Sequence, residues 1–185
     1  AYDKPATKGK DVVSTIDAEL QSYGEFLMKN KVGSVIAIEP SSGEILSMIS
    51  SPGIDVSILG EINKHYDSIS KSPFKPMFNR SIMSPQPPGS VFKLVNALIG
   101  LQENVVSVHT QYPCNSGFSA KGLTLGCHPH KSPIGFKESI MASCNAYYCY
   151  LFRNLLGNSK YSSTEEAYNA WYDYVTSFGF GVKLD

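Results

Sequence analysis

The chain has 185 residues, of which 42% are hydrophobic and 17% are charged, so it is long enough to bury a sizeable core. Lys and Arg together number 16, as do Asp and Glu, and this balance argues against a surface that binds nucleic acid or another polyanion. No apolar run approaches the ~20 residues of a membrane-spanning helix, and no segment has the pattern of a signal peptide.

The first fifty residues predict a linker, a helix and a β-hairpin. Residues 1–11 are expected to be a linker that enters from an upstream domain. Asp17 is suited to cap a helix, and the apolar residues after it recur at helical spacing. Two apolar runs flank Pro40-Ser41-Ser42-Gly43, which predicts antiparallel strands. The predicted elements are a strand at residues 11–16, a helix at 17–30 and strands at 33–39 and 44–50.

Two burial patterns are expected in this part of the chain. The helix should turn one apolar stripe inward. The first hairpin strand runs through Val35 to Ile38 without alternation, so it should be covered on both faces. The expected inward stripe of the helix consists of Leu20, Tyr23, Leu27 and Met28.

The rest of the sequence alternates between irregular stretches and helices. Residues 51–86 have little periodicity and should form a long irregular segment with short helices. Residues 91–101 are almost wholly apolar, which predicts a core helix that is buried on every side. Residues 103–134 are again irregular. Further helices are predicted at residues 136–141, 146–156 and 164–178.

A serine and a lysine lie one turn apart where the core helix is expected to begin. Ser90 is a favoured N-cap residue, which is its simplest interpretation. Lys93 fits that interpretation badly, because a cation in the first turn opposes the helix dipole and burial lowers the pKa of a lysine. A lysine shifted toward neutrality beside a serine hydroxyl is a general base beside a nucleophile. We therefore predict a catalytic pair, although Ser-x-x-Lys alone is a common pattern.

A second motif, Ser143-Cys144-Asn145, precedes a predicted helix. By itself it suits a helix cap, for which both Ser and Asn are favoured. In combination, Ser-x-x-Lys followed by Ser-x-Asn is the active-site pattern of penicillin-interacting serine enzymes.

In these motifs the sequence resembles the transpeptidase domain of class B penicillin-binding proteins, especially the elongation-type penicillin-binding protein 2. The resemblance covers nearly the whole chain in family order. Further matching stretches are Ser14-Thr15-Ile16-Asp17 with Gln21, residues 37–46, Pro76-Met77-Phe78-Asn79-Arg80, Pro87-Pro88-Gly89-Ser90 and Phe178-Gly179-Phe180-Gly181.

The resemblance implies an α+β chain with the β-lactamase/transpeptidase-like fold, in which a helical subdomain accompanies an incomplete antiparallel sheet. The family's third motif, Lys-Thr-Gly or Lys-Ser-Gly, does not occur in this sequence. Residues 12–185 are therefore expected to be the N-terminal part of the transpeptidase domain, and this fragment is expected to be inactive by itself.

By resemblance, the parent protein is a peptidoglycan D,D-transpeptidase that acts by serine acyl transfer on D-Ala-D-Ala stem peptides in cell-wall elongation and cell shape. Ser90 would be the nucleophile and Lys93 its base. Ser143 would relay a proton to the leaving amine, and Asn145 would orient Lys93 and the substrate amide. No cofactor is expected for catalysis.

The resemblance also implies a cellular setting. The chain would belong to the periplasmic domain of a single-pass inner-membrane protein. Its expected partners are peptidoglycan stem peptides and a membrane glycosyltransferase of the elongation machinery, with β-lactams as inhibitors and no nucleic acid.

A structural zinc site is a further expectation, because elongation-type members often carry Cys, Asp and His at the positions concerned. Three thiolates and one imidazole would complete a closed tetrahedral shell. His128 could replace His130, and Cys149 is expected to pack in the core. A Cys114–Cys127 disulfide is the competing interpretation, because the periplasm is oxidising, and free thiols are a third. The predicted ligands are Cys114, Cys127, His130 and Cys144.

Other functions share parts of these patterns. A β-lactam sensor also carries Ser-x-x-Lys, and a structural module would need an unreactive Ser90. A serine β-lactamase is the competing enzyme, but the long stretch at residues 51–86 and its Asn79-Arg80 pair favour the transpeptidase. Persistence or loss of a penicillin label would separate these functions.

Overall fold

A computed structural model describes residues 7–183, which divide after Gln86 into two compact units. Residues 1–6 of the predicted linker lie outside the described residues. The predicted strand at residues 11–16 is wrong, because residues 7–17 have no regular secondary structure. Val12 and Val13 are 89% and 97% exposed, so no neighbouring strand covers them. Across residues 7–183, no helix combines the length and hydrophobicity that crossing a bilayer requires.

The first unit begins with helix α1 (Ala18–Met28) and an antiparallel hairpin of strands β1 (Gly33–Ile38) and β2 (Ile45–Ser51), as predicted. The side chain of Asp17 accepts a hydrogen bond from the backbone N–H of Leu20, which caps α1.

Helix α1 packs on β2 through a polar and glycine-containing face rather than the predicted stripe. The Gln21 side chain accepts from the Met48 backbone N–H at 2.9 Å and donates to the Met48 carbonyl oxygen at 3.1 Å. Gly24 lies so close to β2 that a Cβ there would be 2.5 Å from Ile49 Cδ1. The predicted stripe is therefore wrong in its main members, which remain largely exposed. These are Leu20, Tyr23 and Leu27, with exposures of 38%, 60% and 47%.

Strand β1 is more open than its apolar sequence predicts. Val35, Ile36 and Ile38 are 45%, 40% and 56% exposed, whereas Ile49 of β2 is 3% exposed. The difference arises because α1 lies mainly against β2. The expectation that β1 is covered on both faces is therefore wrong for the described residues.

Residues 51–86, which follow the hairpin, contain short helices, as predicted, and form hydrogen bonds with strand β2. The Ser50 hydroxyl accepts from the Arg80 backbone N–H at 2.9 Å and donates to the Phe78 carbonyl oxygen at 3.3 Å. Its elements are a 3-10 helix at Val56–Glu61, α2 (Ile62–Ser70) and α3 (Arg80–Met83).

The second unit is built on three helices: α4 (Lys93–Gln102), α6 (Asn145–Leu156) and α7 (Thr164–Ser177). Gly100 lets α4 approach α6, since a Cβ there would be 3.1 Å from the Leu151 side chain. The predicted burial of the core helix on every side is wrong, because Leu94 and Leu98 are 52% and 54% exposed. Helices α6 and α7 of the same unit cover only one side of α4. Its buried residues are Ala97, Ile99 and Gly100.

The C-terminal end of α4 is held by a buried carboxylate. The Glu103 side chain is 3% exposed and forms an ion pair with Lys160 at 2.9 Å. Burial opposes its ionisation, but hydrogen bonds from Lys160, Tyr174 and Tyr161 keep the pKa of Glu103 below its usual value. The remaining donors are Tyr161 Oη at 2.9 Å, Tyr174 Oη at 2.8 Å and Asn158 Nδ2 at 3.2 Å.

Short strands occupy the segment between α4 and α6 that was predicted to be irregular. They form two small antiparallel pairs, and the helix predicted at residues 136–141 follows them. The elements are β3 (Gln111–Tyr112) paired with β6 (Ile134–Gly135), β4 (Gly117–Ala120) paired with β5 (Leu123–Gly126), and α5 (Phe136–Met141).

Candidate active site

Ser90 lies in a tight turn that leads into α4. Gly89 has φ = 66°, a left-handed conformation that glycine adopts without strain. Ser90 follows within the 3-10 helix Gly89–Phe92 and is exposed. The simplest interpretation of Ser90, as the N-cap of this helix, is therefore wrong, because Lys93 is already the first residue of α4 and its N–H donates to the carbonyl oxygens of Ser90 and Val91.

Lys93 joins the two predicted motifs. Its Nζ donates to the Ser143 carbonyl oxygen at 2.7 Å, to Ser143 Oγ at 3.0 Å and to Asn145 Oδ1 at 2.6 Å. The carbonyl oxygen and Asn145 Oδ1 can only accept from Nζ, whereas the Ser143 hydroxyl can also donate to a neutral amine. The described side chains show no hydrogen bond between Ser90 and Lys93. Burial lowers the pKa of Lys93, and nearby cysteine thiols partly oppose that shift. A half-buried lysine that contacts a serine hydroxyl can accept or deliver a proton.

The Ser143 backbone is strained, and the side chains on either side of Cys144 point away from it. Its φ is 49°, which is uncommon for a residue other than glycine. The next residue, Cys144, is fully buried and caps α6, with its Sγ accepting from the Tyr147 N–H at 3.3 Å. Cys144 thus points into the core while Ser143 and Asn145 contact Lys93.

Asn145 is fixed from three directions. Its Oδ1 accepts from Lys93, and its Nδ2 donates to the Gly126 carbonyl oxygen at 2.8 Å. Its backbone N–H lies 3.3 Å from Cys127 Sγ, to which it donates. The end of β5 therefore sets the orientation of this amide toward Lys93.

The four predicted zinc ligands lie together, with one candidate ligand atom each and all four atoms within 4.8 Å of one another. His130, rather than His128, supplies the imidazole. Its Nδ1 is 2.9 Å from the Lys131 carbonyl oxygen and its Nε2 is 3.4 Å from Cys127 Sγ, so a proton on Nδ1 leaves the Nε2 lone pair facing the thiols. All four cysteines of the chain are free thiols. The set consists of Cys114, Cys127, His130 and Cys144.

The electrostatics of the thiols differ with burial. Burial raises the pKa of Cys144 to about 12. At Cys127 burial acts in the same direction, but hydrogen bonds from His130 and from the Asn145 backbone lower the pKa to about 7. Thiolates are the form that binds Zn²⁺, so Cys127 is already disposed to act as a ligand at neutral pH.

Two contacts near Lys93 were not predicted from the sequence. One is the hydrogen bond from Asn145 Nδ2 to the Gly126 carbonyl oxygen, which no side-chain pattern could have revealed. The other is the ring of Tyr148, whose centroid is 5.6 Å from Lys93 Nζ. Tyr148 follows Asn145 by three residues on α6, and this spacing, which places both on one helix face, was the available signal.

Comparison with known proteins gives consistent matches. The penicillin binding protein transpeptidase domain model matches residues 33–185. The peptidoglycan D,D-transpeptidase MrdA of Acinetobacter baumannii is 28% identical over 186 residues, covering 97% of this chain and 26% of that protein. The chain thus spans about a quarter of the length of this curated relative.

Solved structures show the same fold. Penicillin-binding protein A of M. tuberculosis, in its penicillin G acyl-enzyme complex, matches with a TM-score of 0.67 and 26% identity, covering 76% of this chain and 36% of that one. Penicillin-binding protein 2 of Pseudomonas aeruginosa matches with a TM-score of 0.74 and 24% identity, covering 95% of this chain and 39% of that one. The predicted β-lactamase/transpeptidase-like fold is therefore confirmed.

Proposed function

This chain belongs to the family of penicillin-binding protein transpeptidase domains, and we propose that it carries the reacting residues of a peptidoglycan D,D-transpeptidase of cell-wall elongation. The observation that supports this proposal most directly is the contact of Lys93 Nζ with Ser143 Oγ and Asn145 Oδ1. It unites a lysine and a Ser-x-Asn motif that lie far apart in the sequence. The A. baumannii relative is a peptidoglycan D,D-transpeptidase, and the M. tuberculosis structure is a penicillin acyl-enzyme.

The proposed reaction is acyl transfer. Ser90 Oγ attacks the carbonyl carbon of the penultimate D-Ala in a donor stem peptide, and neutral Lys93 takes the serine proton. Ser143 passes a proton to the leaving amine, which departs with the terminal D-Ala. The backbone N–H of Ser90 supplies one oxyanion donor. An acceptor amine then attacks the acyl-enzyme, and the cross-link forms as Ser90 regains its proton.

The roles of Asn145 and of the cellular partners follow from the same proposal. Asn145 orients Lys93 and contacts the substrate amide. A β-lactam acylates Ser90 in the same way and leaves a slowly hydrolysed ester. The domain would act in the periplasm as part of a single-pass inner-membrane protein, alongside a membrane glycosyltransferase that supplies new glycan strands for its stem peptides.

Covalent labelling tests the nucleophile and the base in the full-length gene product. With a fluorescent penicillin, we expect Ser90→Ala to abolish labelling and Lys93→Ala to reduce its rate at least ~100-fold, the usual scale for loss of a general base. The exposed residues Ser119 and Lys121 offer matched controls, whose alanine variants should label normally. Labelling of Ser90→Ala at the wild-type rate would refute the assignment of the nucleophile.

The fate of the adduct tests the class of function. A label that persists for hours supports a transpeptidase, whereas rapid loss would indicate a β-lactamase. A wild-type protein that never labels would indicate a structural module. A persistent label without cross-linking of stem peptides would indicate a β-lactam sensor.

We further propose that the Cys/His cluster holds one structural zinc ion. Three thiolates and one imidazole fit Zn²⁺ as a closed tetrahedral shell, so the ion would support the fold and take no part in the acyl transfer. Two ligands adjoin reacting residues, because Cys144 lies between Ser143 and Asn145, and Cys127 Sγ accepts from the Asn145 N–H. The ion would thereby hold both motif side chains toward Lys93.

Metal analysis tests the zinc proposal against the disulfide. Protein purified without a His tag should contain one zinc ion per chain, and thiol titration under denaturing conditions should find four free thiols before reduction. Cys144→Ser should lose the zinc, while Cys149→Ser, on the helix that Cys144 caps but outside the cluster, should keep it. Metal-free protein with only two free thiols would favour the Cys114–Cys127 disulfide instead.

A further inference from the structure

Tyr148 places an aromatic ring beside the amine of Lys93. It lies on α6, is 6% exposed, and its ring centroid is 5.6 Å from Lys93 Nζ. This distance is within the range of a cation–π interaction, in which the ring face attracts a positive charge. Ser143 and Asn145 provide the oxygen acceptors of the same amine, so Tyr148 adds a different kind of contact.

The ring rather than the hydroxyl is the part of Tyr148 that reaches the site. Its hydroxyl oxygen is buried and makes no hydrogen bond of ordinary geometry within residues 7–183; burial raises the pKa of Tyr148, and a weak contact with the Ser139 side chain lowers it. Hydrogen bonding to this hydroxyl is weak, so it does not explain why the side chain lies beside Lys93. The aromatic face remains as its contribution.

We propose that Tyr148 is a positioning residue that stabilises the ammonium form of Lys93 as it takes the proton from Ser90. The inference rests on the proposed acyl transfer at Ser90. Because the amine gains positive charge only as the proton arrives, a ring that attracts the cation stabilises the transition state more than the ground state. Its contribution should therefore appear in the rate of acylation and leave the initial binding of a penicillin unchanged.

Fluorinated phenylalanines test this inference without changing the shape of the side chain. Successive fluorine substitution withdraws electron density from the ring face and weakens its attraction for a cation. In the full-length gene product, residue 148 is replaced by phenylalanine and then by analogues with two and four fluorine atoms. Stopped-flow acylation by a penicillin separates the dissociation constant of the first complex from the rate constant of the chemical step.

We expect Tyr148→Phe to retain acylation, because it keeps the ring that lies beside Lys93. The acylation rate constant should then fall with each fluorination, by about 2- to 30-fold overall, with the dissociation constant unchanged. The matched control is Tyr150, whose ring lies 5.0 Å from the guanidinium of Arg153 on the same helix. The same series at residue 150 should leave the acylation rate unchanged.

The possible outcomes separate the two proposals. A rate constant that is constant across the residue 148 series, or that falls equally in the residue 150 series, would overturn the role of Tyr148 alone. An effect confined to the dissociation constant would overturn it as well. A wild-type protein that is not acylated at all would overturn the proposed function, and this inference with it.

Discussion

Replacement of Glu103 by Gln should destabilise the second unit by removing a buried charge. The Glu103 side chain is 3% exposed and receives hydrogen bonds from Lys160, Tyr161 and Tyr174. An amide keeps the shape but directs an NH₂ group at these donors. Removing one partner of a fully buried ion pair costs ~3–5 kcal/mol, but Lys160 is 60% exposed and can be solvated, so we expect about 2–3 kcal/mol.

Trp171 provides the assay, because it is the single tryptophan of the chain and lies in α7, where its Nε1 donates to Asn96 Oδ1 at 2.9 Å. Its fluorescence during urea unfolding should show the loss in free energy, and the melting temperature should fall by roughly 4–12 °C. Glu165→Gln, an exposed change in the first turn of α7, should cost under ~1 kcal/mol. A Glu103→Gln variant no less stable than this control would refute the reasoning.

Comparing wild type with Glu103→Gln at several pH values tests the same reasoning, and the direction of the pH effect is defined. Because the pKa of Glu103 is lowered in the folded chain, its ionised form contributes stability that is fully present above the ordinary pKa of a glutamate. That contribution is lost as the pH falls through the lowered folded value. The difference in unfolding free energy between wild type and Glu103→Gln should therefore be constant near neutral pH and should shrink only in acid.

Three further predictions concern the site. A strong zinc chelator should lower the melting temperature of wild type and of Cys149→Ser, but leave that of Cys144→Ser unchanged, because that variant has already lost the ion. Ser143→Gly should raise the melting temperature by relieving the positive φ, at an expected gain of roughly 1 kcal/mol, while slowing penicillin acylation by removing the hydroxyl near Lys93. Since burial lowers the pKa of Lys93, the acylation rate should stay high to a lower pH than an ordinary lysine base allows and then fall in acid, as a pH–rate profile would show.

Local sequence signals predicted the elements that depend on local chemistry. Asp17 marks the start of α1, and Ser163 caps α7 by accepting from the Glu166 N–H at 3.1 Å. The hairpin of β1 and β2 follows from two apolar runs around a turn. The family resemblance was equally informative, since it implied a Cys and His cluster whose ligand atoms lie within 4.8 Å of one another.

Signals that depend on tertiary contacts were not available from one sequence. Nothing in the pattern around Gln21 indicates that its amide pairs with the backbone of β2, or that Gly24 sits against Ile49. The apolar composition of α4 predicted burial on all sides, although α6 and α7 of the same unit cover only one side. Composition reports how much apolar surface a helix has, whereas its neighbours decide which part is covered.

The first turn of α6 serves two sites at once, and this restricts how the gene can change in length. The N-cap of α6, Cys144, faces the thiol cluster, and Asn145 and Tyr148, three residues apart, contact Lys93. One inserted or deleted codon between residues 144 and 148 would rotate the positions beyond it by about 100°. The tip of the hairpin between β4 and β5, at Lys121-Gly122, is exposed and carries no such requirement. Natural length variation in this region should therefore accumulate at the hairpin tip and be absent from the start of α6.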